Sequence, residues 1–284
     1  MWTGAALVVI VAAAAVDAQV PVPQLPDPRE RAPRVFRSET AMVALNVTVT
    51  DTGDGDKLVT GLEADDFEVY EDGVQQELRF FESSNVPMDV ILLLDISSSM
   101  RDRMAVVHDA ARTFMKVLRP GDRGAVVAFN EHVRVLQELT ADPAAIERAI
   151  NAAVAQGSTG LHNAIYVTLK QFGRPTRGDG EVRRQALAVL SDGEDTSSLV
   201  SFEDVLALAR QMGVSIYTIG LQSSIRPAGA PSNVDRFSGA TYSLNMLARE
   251  TGARAFFPAT VHDLKRVYGA IARELEAQYS IGYS

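Results

Sequence analysis

The residues of this chain whose types and spacing could do chemistry are two aspartates and three hydroxyl residues. Asp95, Ser97 and Ser99 alternate in one polar segment, Thr159 lies in a second segment, and Asp192 lies in a third. Carboxylate and hydroxyl oxygens are hard ligands, which suit Mg²⁺ better than Zn²⁺. If the three segments meet in the folded chain, they predict an all-oxygen site for a divalent cation.

Two apolar runs indicate how these segments would meet. Val90–Leu94 directly precedes Asp95, and Ala186–Leu190 stands just before Asp192. Continuous apolar runs with helical stretches between them are typical of buried parallel strands. Ligands of open α/β sheets bind at the carboxyl ends of such strands. We therefore expect both aspartates at one edge of a parallel sheet, with the alternating serines facing one side of an extended loop.

From about residue 88 onward, the chain alternates between strand and helix patterns. This alternation predicts an α/β fold, a mostly parallel sheet with helices on both faces. The predicted strands are 89–94, 124–129, 186–190, 215–219 and 254–257, with an antiparallel edge at 134–139, and the predicted helices are 103–118, 143–153, 161–172, 202–212, 243–250 and 261–277.

Residues 38–85 predict a small β-rich unit before the α/β region. Its strands are expected at 41–50, 67–70 and 76–81, with a reversal at 71–73. A hairpin this small is marginal alone, so we expect it to pack against the larger unit. The pattern of residues 280–284 predicts the start of a strand. Whether this strand is truncated stays open at this point.

The N-terminus predicts export. Residues 1–18 resemble a signal peptide, because an apolar run too short to span a bilayer ends at small residues that a peptidase could read. No Lys or Arg stands near Met1, so a buried core helix or an uncleaved anchor remains an alternative, as does a start further upstream. Residues 19–37 contain five prolines and predict an extended spacer.

Composition excludes several classes of function. The net charge of −9 and the isoelectric point near 5.0 argue against a nucleic-acid partner. The chain has no cysteine, which excludes disulfides and thiolate metal sites. The four histidines are scattered, so a zinc site is not expected. His162, three residues past Thr159, could lie near the metal site, but a position at a helix start, facing solvent, is favoured.

The three polar segments resemble a known motif. Asp95-Ile96-Ser97-Ser98-Ser99, Thr159 in Gly-Ser-Thr-Gly and Asp192 in Ser-Asp-Gly-Glu are similar to the metal-ion-dependent adhesion site of von Willebrand factor type A domains. The resemblance spans about residues 86–279, and the preceding β-rich segment resembles that of a bacterial "VWFA-related" subgroup found in Acidobacteria. It implies a Rossmann-like, doubly wound domain whose Mg²⁺ is bridged by an Asp or Glu of a protein ligand.

Three functions follow from this sequence. We expect first an exported, extracytoplasmic and non-catalytic adhesion module that binds Mg²⁺, with Mn²⁺ or Ca²⁺ as alternatives. We expect no small-molecule substrate, and membrane contact only through an uncleaved N-terminal segment. A structural component of a cell-envelope assembly, whose metal braces the loops, is the first alternative. A metal-assisted hydrolase is disfavoured, since a phosphatase of the haloacid-dehalogenase type needs a second aspartate where Ser97 stands.

Overall fold

A central parallel sheet organises the part of the chain that carries the polar segments. The structure, a computed structural model, describes residues 43–51, 53, 57–83, 86–173, 183–192, 195–221 and 239–284. The predicted signal peptide and the predicted proline-rich spacer lie outside these residues.

The described strands of the central sheet are β5 (Met88–Asp95), β6 (Arg123–Phe129), β7 (Val133–Thr140), β8 (Arg184–Ser191), β9 (Ser215–Gly220) and β10 (Ala255–Phe256). They lie in the order β10-β9-β8-β5-β6-β7. The pairs are parallel except for β7, which runs antiparallel to β6 at one edge. The predicted α/β class and the antiparallel edge are confirmed.

Helices cover both faces of this sheet. They are α1 (Met104–Met115), α2 (Pro143–Asn151), α3 (Leu161–Phe172), α4 (Phe202–Met212), α5 (Gly239–Glu250) and α6 (Leu264–Glu276). Along β5, Val90, Leu92 and Leu94 pack with α1, α2 and α6, whereas Ile91 and Leu93 pack with α3, α4 and α5. Successive residues of a strand point to opposite faces, so an unbroken apolar run is what a sheet covered on both sides requires.

The small β-rich region includes the end of the described chain. In a sheet of three described strands, β11 (Tyr279–Tyr283) lies between β1 (Val43–Val47) and β4 (Leu78–Glu82) and is antiparallel to both. A hairpin of β2 (Val69–Glu71) and β3 (Val74–Gln76) precedes β4. Residues 38–85 therefore do not form the β-rich unit alone, because β4 pairs with β11. The predicted reversal is present, and Val69 of the predicted strand 67–70 pairs with Gln76. The remainder of the predicted strand 76–81 pairs with β11 and not with 67–70.

Arg184 joins the two sheets at the end opposite the polar segments. Its buried guanidinium donates hydrogen bonds to the carbonyls of Leu275 and Gln278 through Nη1 and of Val86 through Nη2, each at 3.2 Å. These carbonyls belong to the segments that connect the parallel sheet with β4 and β11. Among the described residues, no helix is both long enough and apolar enough to span a lipid bilayer.

Candidate metal centre

Asp95 is the most constrained residue of the candidate site. It ends β5, and its side chain is fully buried. Its Oδ1 accepts a hydrogen bond from the backbone N–H of Ser97 at 2.8 Å, and its Oδ2 accepts one from Ser191 Oγ at 2.6 Å. Burial raises the pKa of Asp95 to about 6, the two serines oppose this rise, and the nearby charge of Asp192 adds to it. A cation would remove this cost of burying the carboxylate.

The first loop brings the two predicted serine ligands together. Ser97 Oγ and Ser99 Oγ are 3.0 Å apart, with Ser97 buried and Ser99 exposed. The predicted extended loop is wrong from Ser98 onward, because Ser98–Arg103 form a short 3₁₀ helix that leads into α1. The 3₁₀ turn nevertheless keeps the hydroxyls of Ser97 and Ser99 next to each other, as the sequence predicted.

The second loop, which carries Thr159, is attached to the first loop by backbone hydrogen bonds. The N–H of Gln156 donates to the carbonyl of Ile96 at 2.6 Å, and the N–H of Ser98 donates to the carbonyl of Gly157 at 2.9 Å. Gly157 has a φ of +82°, a left-handed conformation that glycine adopts without strain. Thr159 is buried just before α3 begins, beside the loop of Asp95.

The third loop begins with Asp192, directly after β8. Because β8 is the parallel neighbour of β5, with Leu190 opposite Leu94, the two aspartates leave the sheet at the same edge. The backbone N–H groups of Thr196 and Ser197 then donate to the carbonyl of Thr159, at 2.9 and 3.0 Å. The third loop is thus attached to the second.

Asp192 provides the test of whether these residues fit a metal ion. Its Oδ1 is buried, and among the residues that the structure describes it accepts no hydrogen bond. An unpaired buried carboxylate oxygen is costly, and a cation satisfies it. No group of three or more His, Cys, Asp or Glu side chains that could hold a metal occurs in the described ranges. The unpaired Oδ1 of Asp192, close to the buried carboxylate of Asp95, fits a divalent cation. Metal binding by the five residues stays a prediction.

Three residues that support the loops were missed by the sequence reasoning. Ser191 holds Asp95, as described above. Asn130, at the end of β6, donates from Nδ2 to the carbonyl of Gln156 at 2.9 Å, and its own carbonyl accepts from the N–H of Gly160 at 2.9 Å. Asn163 accepts two hydrogen bonds from the third loop through its Oδ1. Nothing in the local sequence pattern signals these long-range bonds, although Ser191 adjoins a predicted ligand.

His162 is placed differently from the expectation. It is the second residue of α3, and its side chain is 20% exposed, with Nδ1 2.8 Å from Oδ2 of Asp195. Its ring also contacts Phe202 at a centroid distance of 5.9 Å. The predicted solvent-facing histidine is therefore wrong. The side chain helps to fix the third loop against α3.

The doubly wound α/β fold and the three-loop site define a class of protein, and the comparison with family models names it. The model for the von Willebrand factor type A domain matches residues 89–269. This match covers more than half of the chain, which therefore belongs to that family. The predicted family resemblance is confirmed.

Solved structures agree in fold. A von Willebrand factor type A protein from Catenulispora acidiphila aligns with a TM-score of 0.51 at 17% identity, over 72% of this chain and 51% of that one. The vWF domain of the type V pili tip protein Mfa5 from Porphyromonas gingivalis has a TM-score of 0.51 at 15% identity, over 67% and 95%. Proximal thread matrix protein 1 from the mussel byssus, with zinc in its metal-ion-dependent adhesion site, has a TM-score of 0.55 at 16% identity, over 71% and 48%.

Curated relatives are more similar in sequence. A UPF0353 protein of Mycobacterium leprae is 26% identical over 205 residues, which is 66% of this chain and 60% of the relative. A UPF0353 protein of Mycolicibacterium paratuberculosis is 25% identical over the same shares. The match thus spans about 60% of the length of these relatives.

Replacing Ser191 with alanine should weaken Mg²⁺ binding at neutral pH roughly tenfold, the lower end of what loss of a supporting hydrogen bond costs a metal site. The variant removes the hydroxyl that orients Asp95 and favours its charged form. Isothermal titration calorimetry measures the affinity. The control variant Ser98→Ala removes an exposed hydroxyl of the first loop. It should change the Mg²⁺ affinity by no more than about twofold. Equal affinities in the two variants would contradict the role of Ser191.

Mg²⁺ binding should also weaken as the pH falls below about 6, since the proton on Asp95 competes with the cation. The dissociation constant is expected to be about tenfold higher at pH 5 than at pH 7.5. Without metal, the burial of Asp95 does not lower the stability of the fold below its ordinary pKa of 3.8, because the carboxyl is then neutral in both states. The burial lowers the stability as the pH rises through about 6, because the carboxyl must then be ionised while buried. A dissociation constant that is the same at both pH values would contradict this account.

Proposed function

We propose that this chain is an exported, non-catalytic protein-interaction module that binds an acidic side chain of a protein partner through a divalent cation. Asp95, Ser97, Ser99, Thr159 and Asp192 would hold the cation. The observation that carries the proposal is the buried Oδ1 of Asp192, which lacks a hydrogen-bond donor among the described residues, beside the buried carboxylate of Asp95. Membership in the von Willebrand factor type A family supports it.

The chemistry of the donor set favours binding of a partner's carboxylate. Two carboxylates and three neutral hydroxyls balance the charge of a divalent ion but leave an octahedral ion one position to fill. Hydroxyls are weak donors, so the ion stays a strong acceptor of a further oxygen ligand. An Asp or Glu of the partner would displace water from that position and make a charge-assisted contact in a partly dry interface.

Mg²⁺ is the cation that we assign first, because the donors are all oxygens. Mn²⁺ and Ca²⁺ are the alternatives. The mussel protein contains zinc in the corresponding motif, which supports the idea that this kind of site accepts a divalent metal.

Export is the second part of the proposal. It rests on the signal-like apolar segment in residues 1–18 and on the proline-rich segment that follows it. One fold neighbour, Mfa5 of Porphyromonas gingivalis, is a pili tip protein. An extracytoplasmic location is consistent with both.

A structural function, in which the metal only braces the loops, fits the observations less well. Hydrogen bonds between protein groups already connect the first loop to the second and the second to the third. The ion is therefore not needed to hold them together. Hydrolysis is not part of the proposal, since Ser97 offers no carboxylate for acid–base chemistry.

Matched peptide pairs test the proposal. Fluorescent peptides that differ only in Asp against Asn are measured against the full chain in Mg²⁺ and in EDTA. We expect a subset of the Asp peptides to bind in Mg²⁺, with binding lost in EDTA, in the Asn counterparts and in the Asp192→Asn variant.

The control variant Asp109→Asn changes a surface carboxylate on α1, which pairs with Lys265, and should bind these peptides as the wild type does. Peptides that bind equally well with Asn, or that stay bound in EDTA, would contradict the proposed mechanism.

A further inference from the structure

We propose that Leu199 is an apolar contact for the partner, and that the partner segment carries a large apolar side chain within about three residues of its acidic residue. This inference rests on the proposed function, because it concerns the partner that would bind at the metal centre. It goes beyond that function by stating what accompanies the acidic side chain.

Leu199 is far more exposed than the other apolar side chains of the described surface. Its relative exposure is 95%, whereas the other exposed large apolar side chains that the structure describes range from 37% to 66%. A leucine at this level makes almost no contact with its own protein. Burial of such a side chain by a partner is worth on the order of tenfold or more in affinity.

The backbone at Leu199 is fixed, so the exposure is not that of a loose loop end. The N–H groups of Leu199 and Val200 both donate to Oδ1 of Asn163 at 3.0 Å. In return, the N–H of Asn163 donates to Ser198 Oγ at 3.0 Å, and the N–H of Ser198 donates to Oδ1 of Asp195 at 3.1 Å. Because these hydrogen bonds order the loop before binding, little conformational entropy of the loop is lost when a partner covers Leu199.

Leu199 lies a short way along the chain from a residue that is hydrogen-bonded to Thr159, one of the predicted ligands. Thr196 donates its N–H to the carbonyl of Thr159, and the Cα of Leu199 can lie at most about 11 Å from that of Thr196. An extended partner segment covers such a distance in three or four residues. One short segment could therefore reach the ion with its acidic residue and Leu199 with a neighbouring residue.

The immediate surroundings of Leu199 favour an apolar contact over a charged one. The residues on either side of it, Thr196, Ser197, Ser198, Val200 and Ser201, carry no charge. Val200 packs against the core formed with α3 and α4, whereas the apolar side chain of Leu199 projects into solvent. An exposed leucine among uncharged chain neighbours offers a partner buried apolar area, and the carboxylate of nearby Asp195 is already held by the N–H of Ser198 and by His162.

The test uses a phage-displayed library of peptides with one fixed central Asp and random flanking residues. The library is selected on the immobilised full chain in Mg²⁺ and eluted with EDTA. We expect enrichment of Leu, Ile, Met, Phe or Trp within three positions of the Asp for the wild-type chain. The Leu199→Ser variant should lose this enrichment, and an enriched peptide should bind to it about tenfold more weakly.

Val74→Ser is the matched control, since Val74 is 63% exposed on the β2–β3 hairpin, and it should keep both the enrichment and the affinity. EDTA-eluted peptides without apolar enrichment, or enrichment that survives in Leu199→Ser, would overturn the inference and leave the proposed function standing. Apolar peptides that resist elution by EDTA would overturn it as well. Absence of any Mg²⁺-dependent peptide would overturn the proposed function and this inference together.

Discussion

The burial of the Asp95 carboxylate at the end of β5 is the constraint on which this edge of the molecule depends. A fully buried carboxylate is costly, and the chain meets part of the cost with the backbone N–H of Ser97 and the hydroxyl of Ser191. A second carboxylate, Asp192, adds negative charge at the same place. A divalent cation, as we propose, would remove the remaining cost, and the site would then serve for binding rather than for packing.

The parts of this arrangement that the sequence predicted are those encoded by local patterns. Apolar runs before Asp95 and Asp192 predicted two buried parallel strands, and these strands are neighbours in the sheet. Helices α3 and α4 have the predicted bounds, because their apolar spacing and their ends are marked in the chain by Gly173, Ser201 and Gly213.

The parts that could not be predicted depend on contacts between residues far apart in the chain. The pairing of β11 with β4 joins segments about two hundred residues apart, and no local signal specifies it. The same holds for the hydrogen bond from Asn130 to the loop of Thr159 and for the contact between Nδ1 of His162 and Oδ2 of Asp195. A histidine at a helix start is typically solvated, whereas His162 is covered by Asp195 of the third loop and by Phe202 of α4.

The central claim is that the carboxylates of Asp95 and Asp192, with the three hydroxyls, hold one divalent cation with a position left open. Titration of Mn²⁺ into the full chain, followed by water-proton relaxation, measures both the bound ion and the water on it. The account predicts one Mn²⁺ per chain with enhanced relaxation, because water occupies the partner's position, and loss of this signal in a folded Asp192→Asn variant. No bound Mn²⁺ at millimolar concentration, or equal binding by the variant, would contradict the account.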